Sequence, residues 1–209
     1  MSTLAFALAA TIKHDGHGGI ADLLATPAEA AAWLAEHQHL VTQVLLGRPG
    51  SDLGRISYPN RAVILPDADE SGVRDELVRI RGAVRALFAR AVAPEPPSKA
   101  DAGRLMAVED ALRMVNRAAD RLGTTHLEWV EEPATRWAFR TDDPVALLVG
   151  AVGRSAIDFL VSPARGLLRA CPAARCVKYF LQDDPRQTWC SASCGNRERV
   201  NRHYRKRHG

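Results

Sequence analysis

Cys171-Pro172-Ala173-Ala174-Arg175-Cys176 and, after thirteen further residues, Cys190-Ser191-Ala192-Ser193-Cys194 carry all four cysteines of a 209-residue chain within 24 positions. Zinc prefers four soft or borderline ligands at the corners of a tetrahedron, and two close cysteine pairs supply them with little distortion of the backbone. The four residues inside the first pair can turn the chain so that both sulfurs point inward. The spacing of four in the second pair places Cys190 and Cys194 one above the other on a helix face. Between the pairs, Val177-Lys178-Tyr179-Phe180-Leu181 and Gln187-Thr188-Trp189 flank Asp183-Asp184-Pro185, which predicts a short hairpin whose aromatic rings cover the metal. Two disulfides or four unligated thiols are the competing readings. The packing of every thiol into one short stretch of a chain without secretory features favours one structural Zn2+ on Cys171, Cys176, Cys190 and Cys194. Four thiolates on a dication leave a formal charge of −2, and Arg175, Lys178 and Arg197 are the cations placed to offset it. His203 and His208, well past Cys194 on a helix rising about 1.5 Å per residue, are too far away to replace a sulfur.

Downstream, Gly195-Asn196-Arg197-Glu198-Arg199-Val200-Asn201-Arg202-His203-Tyr204-Arg205-Lys206-Arg207 contains no helix breaker after Gly195. At helical spacing Val200 and Tyr204 share one face, which is expected to pack, and Arg199, Arg202, Arg205 and Lys206 gather on the opposite one. From Arg165 onward the chain has eleven Lys and Arg against three Asp and Glu, a balance of +8, whereas the preceding residues carry 17 against 21, or −4. Basicity confined to one end predicts that this end meets a polyanion while the body does something else. Phosphates suit Arg199, Arg202, Arg205, Lys206 and Arg207, while Asn196 and Arg197, nearest the metal, are placed for base edges. A helix presenting arginines fits the major groove of double-stranded DNA more naturally than it fits single-stranded RNA. The bland alternative is a solvated terminal helix. The alternative with a partner is an adaptor that binds RNA or an acidic protein surface.

The body reads as helical. Thr26-Pro27-Ala28-Glu29 is a capping box with proline at the first helical position, opening an Ala-rich helix through Trp33 and Leu34. Ser71 is placed to cap a second helix, with Val73, Leu77, Ile80, Val84, Leu87 and Phe88 as its apolar stripe, ending before Pro94. The connector Ala93-Pro94-Glu95-Pro96-Pro97-Ser98 leads to a helix expected from about Asp101 to Leu122. A strand pair is predicted across Leu127-Glu128-Trp129-Val130 and Arg136-Trp137-Ala138-Phe139. Thr141 or Asp142 then caps an apolar, central helix from Pro144 to Leu160. Residues 47–66, rich in Gly and Pro, read as a long irregular connection. With 46% hydrophobic and 25% charged residues, no apolar run expected to cross a bilayer and no signal peptide, the chain is expected to be cytoplasmic, with no membrane partner. The apolar stretch from Leu4 to Ile12 reads as a buried first element.

No nucleophile–base pair stands out, and no enzymatic activity is expected. His14-Asp15-Gly16-His17-Gly18-Gly19 reads as a polar turn, since no strand pattern of nucleotide-binding type precedes its glycines. His37 and His39 read as solvated residues near a helix end, and Trp129, Trp137 and Phe139 as strand-borne core rather than a ligand pocket.

At Trp189-Cys190-Ser191-Ala192-Ser193-Cys194-Gly195-Asn196-Arg197 the chain resembles the CGNR zinc-finger family, and Asp22-Leu23-Leu24-Ala25-Thr26-Pro27 with Trp33-Leu34 resembles the ABATE-type domain that precedes this finger. One departure is Ala9-Ala10-Thr11, where typical members carry an Asn-Thr pair. The resemblance implies a bacterial stress-induced transcription regulator. Its fold is mainly α (α+β): a helical ABATE-type domain at residues 1–164 with a small β-hairpin, and a treble-clef-like four-cysteine zinc finger at residues 165–209, a hairpin followed by a basic helix. The four cysteines carry over as zinc ligands, and Asn196 and Arg197 as the tetrapeptide's polar pair. The partner expected is DNA, with the N-terminal domain as sensor of an unidentified small-molecule effector or as the module that pairs subunits into a homodimer.

Overall fold

The computed structural model describes residues 3–15, 17, 19–46, 72–129, 131 and 133–208. The irregular connection expected at 47–66 and the cap expected at Ser71 lie outside them. Within them the chain forms α1 (Leu4–Ala9), β1 (Ile12–His14), β2 (Ile20–Asp22), α2 (Pro27–Leu46), α3 (Val73–Val92), α4 (Val108–Asp120), β3 (Thr124–Trp129), β4 (Pro133–Ala138), α5 (Pro144–Val161), a 3-10 turn (Pro163–Leu167), β5 (Leu168–Ala170), β6 (Tyr179–Leu181) and α6 (Ala192–His208). The fold is mainly helical with three antiparallel strand pairs among the described residues, β1 with β2, β3 with β4 and β5 with β6.

Local chemistry sets most of the boundaries. The capping box at the start of α2 is present in both directions, Thr26 N donating to Glu29 Oε2 at 2.9 Å and Glu29 N to Thr26 Oγ1 at 3.2 Å. Gly72, with φ of +103°, stands at the N-cap of α3, without a side-chain cap. At α5 the cap is Asp143 rather than Thr141 or Asp142. Pro144 has no N–H, so the first donor needing a partner is Val145 N, which Asp143 Oδ1 accepts at 2.9 Å. Helix α4 starts at Val108, not near Asp101. Gly103 turns into the left-handed region with φ of +74°, and the Asp101 carboxylate is committed to Arg85 inside the protein. His37 and His39 sit in the middle of α2, not near its end; His37 stacks on Trp33 with ring centroids 4.8 Å apart.

Helix α5 lies at the centre, against α1, α2, α3 and α4. Its 18 residues are long and apolar enough to span a bilayer by composition, contrary to the expectation that no run is. Its buried faces, from Leu148 through Phe159, belong instead to the protein core. Gly150 and Gly153 let α4 approach: a Cβ at Gly153 would stand 2.8 Å from Val115 O and 2.9 Å from Ala118 Cβ. The β3–β4 pair departs from expectation in its packing. Leu127 and Trp129 are each 70% exposed. A two-stranded sheet has two faces to cover, and Phe139, just past its end, is the aromatic that packs against the core among the described residues there.

Two buried arginines interrupt the apolar face of α3. Arg81 holds Asp22 through two hydrogen bonds of 2.5 and 2.6 Å and donates to Thr11 Oγ1 at 2.8 Å, tying β2 and the end of α1 to the helix. Burial pushes the Asp22 carboxyl upward, but the hydrogen bonds from Arg81 and Leu24 outweigh it and leave the group below its ordinary value.

Two outcomes follow from this packing. Gly153→Val should lose about 1–3 kcal/mol from overpacking against α4, whereas Gly82→Ala, where a Cβ meets nothing within 4 Å, should gain up to about 1 kcal/mol of helix propensity; urea unfolding of both variants checks this. Because the Asp22 carboxyl is lowered on folding, its contribution is present above the unfolded carboxylate value near ~4 and is lost as pH falls through the folded one. The stability gap between wild type and Asp22→Asn should therefore be widest near neutrality and close in acid, which denaturant midpoints across pH will read.

Candidate metal centre and the helix it anchors

Strands β5 and β6 pair Leu168 with Leu181 and Ala170 with Tyr179, and the loop between them carries the first two cysteines. Cys171 N donates to Lys178 O at 2.9 Å and Cys176 N to Ala173 O at 3.0 Å. Arg175 takes φ of 65°, the left-handed turn that brings both sulfurs to one side. The hairpin of the finger is thus β5–β6, not the expected pairing of 177–181 with 187–189. Residues 182–187 are instead closed into a loop by Gln187 N to Asp184 O at 2.8 Å and Gln182 Nε2 to Gln187 O at 3.0 Å. Nor do Cys190 and Cys194 share a helix: α6 begins at Ala192, so Cys190 precedes it and Cys194 lies in its first turn.

All four Sγ atoms lie within 4.8 Å of one another, and Cys190 is 3.6 Å from both Cys176 and Cys194. Tetrahedral zinc with Zn–S of about 2.3 Å sets sulfur atoms about 3.8 Å apart, so the cluster is consistent with one structural Zn2+. All four are free cysteines, and the four sulfurs form one cluster rather than two bonded pairs. Hydrogen bonds from Cys176 and Cys190 hold the Cys171 thiol far below its usual value, and the same contacts push Cys176 and Cys190 up. A dication set among the sulfurs favours their thiolate forms. Cys171, Ala173, Cys176, Phe180 and Cys194 form a small apolar core of their own, with Trp189 packed against it. Trp189 explains Gly195: a Cβ there would stand 2.9 Å from the indole ring.

The finger is fastened to the body by Lys99, Arg85 and Asp101, which sequence reading does not single out for this role, and by Tyr179, whose ring is expected over the metal but packs in the body core while Phe180 packs with the cysteines. Lys99 Nζ donates to the carbonyls of Cys171, Pro172 and Ala173 at 3.0–3.3 Å. Arg85, 4% exposed, chelates Asp101 at 2.7 and 3.1 Å and donates to Ala9 O at 2.6 Å and Val177 O at 3.4 Å. Tyr179 Oη donates to Asp101 Oδ2 at 2.7 Å, and its ring stands under the Arg85 guanidinium at 5.2 Å. One signal could have found this node: Arg81 and Arg85, four apart, fall on the apolar stripe of α3, where a charge demands partners.

Helix α6 leaves the metal centre with its first two turns braced. Glu198 Oε1 accepts from Ala174 N at 2.6 Å, and Arg197 donates to Ala174 O at 3.2 Å and reaches Cys194 Sγ at 3.9 Å. Of the three cations expected to balance the thiolates, Arg197 is the one with a sulfur contact among the described residues. Asn196 is exposed, with its Oδ1 accepting from Arg199 at 2.8 Å. Arg199, Arg202, Arg205, Lys206 and Arg207 are all exposed. The opposite face does not pack as expected: Val200 is 67% and Tyr204 63% exposed, because the helix outruns the small finger.

Elemental analysis should find one zinc per chain, and Cys194→Ser should release it. Metal binding supplies folding free energy to such sites, so a strong chelator should speed amide exchange through the 171–178 loop while α5 stays protected. Exchange unchanged by chelation would reject the zinc.

Residues 2–163 match the ABATE family, described as "Putative stress-induced transcription regulator". Residues 168–207 match the CGNR zinc finger. No curated protein matches the chain. With the first match spanning most of its length and the second enclosing the four-cysteine centre, the chain belongs to the ABATE family and carries a CGNR zinc finger at its C-terminal end.

Proposed function

We propose that this chain is a zinc-dependent, DNA-binding regulator of transcription, with α6 as its contact to duplex DNA and the body as sensor or subunit-pairing module. The observation that carries the reading is the state of the cations on α6. Arg202, Arg205, Lys206 and Arg207 are exposed, and no ion pair engages them or Arg199 among the described residues. On the body, Arg74, Arg79, Arg113 and Arg154 are each paired with a neighbouring carboxylate, and Arg90, which enters no ion pair among the described residues, is not part of a run along one helix face as those of α6 are. Arg199, Arg202, Arg205 and Lys206 span about 120° of the helix, on a rod of about 25 Å, which suits phosphates along a groove wall. Asn196, exposed at the base of the rod, is placed for a base edge, and Arg197 contributes by bracing the helix on the metal loop. The family description supports a stress-responsive role, in the cytoplasm and without enzymatic chemistry. The adaptor reading, with RNA or an acidic protein as partner, draws on the exposed Val200 and Tyr204, which give α6 an apolar surface that a phosphate rail does not need.

The zinc-loaded protein should shift duplex DNA in a gel with an affinity that falls steeply with salt. Changing Arg199, Arg202, Arg205 and Lys206 together to Ala should reduce the log–log slope by roughly 3–4, at about 0.9 for each phosphate no longer neutralised. Binding indifferent to salt, or unchanged in that variant, rejects the DNA reading. Recovery of a partner from nuclease-treated lysate as readily as from untreated lysate points to the adaptor.

A further inference from the structure

A cavity of about 610 Å³ opens where the end of α3, the start of α4, the end of α5 and the first strand of the finger meet. That volume admits a small organic molecule, in a cleft that is open to solvent. Leu87, Val92, Val108, Leu112 and Leu160 line it. Leu112 is 46% exposed although it projects from the strongly amphipathic α4, so an apolar side chain faces the opening.

The polar part of the lining is Arg90, Arg165 and Arg169 against the single carboxylate of Glu95. One of these arginines, Arg90, comes from the acidic body, and Arg165 and Arg169 come from the start of the basic end. Arg90 and Arg165 are exposed and enter no ion pair among the described residues. Arg169 is held in place: its Nη1 donates to Gly166 O at 2.9 Å and Leu168 O at 2.8 Å. An apolar wall bordered by three arginines and one carboxylate is complementary to an amphipathic anion, since guanidinium forks bind carboxylates bidentately.

We propose that this cavity binds an organic monocarboxylate with an apolar body, its hydrocarbon against Leu87, Leu112 and Leu160 and its carboxylate among Arg90, Arg165 and Arg169. The placement gives binding a route to the finger. Arg90 belongs to α3 and Arg169 to β5, two positions before Cys171, so one carboxylate bridging them fastens the body to the strand that leads into the metal loop. Acid binding itself stands apart from the regulator reading; only its effect on DNA affinity rests on that reading.

The test is calorimetric titration of the zinc-loaded full chain with decanoate and with 1-naphthoate, one flexible and one flat probe, alongside the uncharged decanamide. At least one acid should bind saturably at one per chain, and decanamide at least ~10-fold more weakly than decanoate if decanoate binds. Arg90→Gln and Arg165→Gln should each weaken the acid by roughly 10-fold, whereas Arg113→Gln, at an arginine paired with Asp110 away from the cavity, should leave it unchanged. No saturable heat from either acid at millimolar concentration, equal binding of decanoate and decanamide, or indifference to both substitutions overturns the proposal. Acid uptake by a protein that fails to shift DNA rejects the regulator reading and leaves the site standing; DNA binding without acid uptake rejects the site alone.

Discussion

A guanidinium taken out of water must find a full set of acceptors or cost several kcal/mol, and Arg85 finds them in segments that are far apart in sequence. Its partners are Ala9 at the end of α1, Ser98 and Asp101 in the connection after α3, and Val177 in the metal loop. Tyr179 closes the set by bonding the same carboxylate and packing edge-on against Phe88, with ring centroids 5.7 Å apart. Removing any one member strands the others in an interior where unpaired polar groups are penalised. The geometry of the finger is therefore inseparable from that of the body: Tyr179 and Leu168 belong to the body's own hydrophobic core.

That coupling has electrostatic content at the metal. Zinc with four thiolates carries a formal −2, and a site with that charge is steadied by nearby donors. Lys99 brings an ammonium from the body onto three successive carbonyls of the loop, and Arg197 brings a guanidinium from α6 to Cys194. One cation comes from the body and the other from α6. Arg197 also donates to Ala174 O of the loop, so the loop is tied to α6 on one hand and to the body through Lys99 on the other.

What the chain announces in advance is what depends on local chemistry. The cysteine spacing, the capping box at Thr26 and Glu29, the apolar stripe of α3 and the apolar length of α5 each rest on a few neighbouring residues, and the structure contains all of them. What it hides depends on partners distant in sequence. Asp101 reads as the start of a helix because acidic residues favour first turns, yet in the fold it is the counter-ion of Arg85. The strand before Cys171 is hard to see because the three residues Leu168-Arg169-Ala170 carry too short an alternation, and Asp183-Asp184-Pro185 offers a more conspicuous turn on the other side of β6. The chemistry of Trp129 alone points to the core, and only the isolation of a two-stranded sheet exposes it.

Helix α6 shows how such a fold can display a segment that would not hold alone. Isolated helices of its length are marginal in water, and here Arg199 with Arg202, Arg202 with Arg205 and Arg202 with Lys206 place like charges three and four apart, each pair costing about 0.2–0.5 kcal/mol. The nucleus of the helix is supplied from outside: Cys194 is anchored in the sulfur cluster, Ser191 Oγ accepts from Cys194 N at 3.3 Å, and Glu198 and Arg197 grip Ala174. Past that point the backbone hydrogen bonds of the helix are what chiefly works against the repulsion. Phosphates laid along the proposed contact face would remove that repulsion pair by pair, so helix order and polyanion binding favour each other, and the arrangement that makes the distal turns weak alone makes them responsive to a partner.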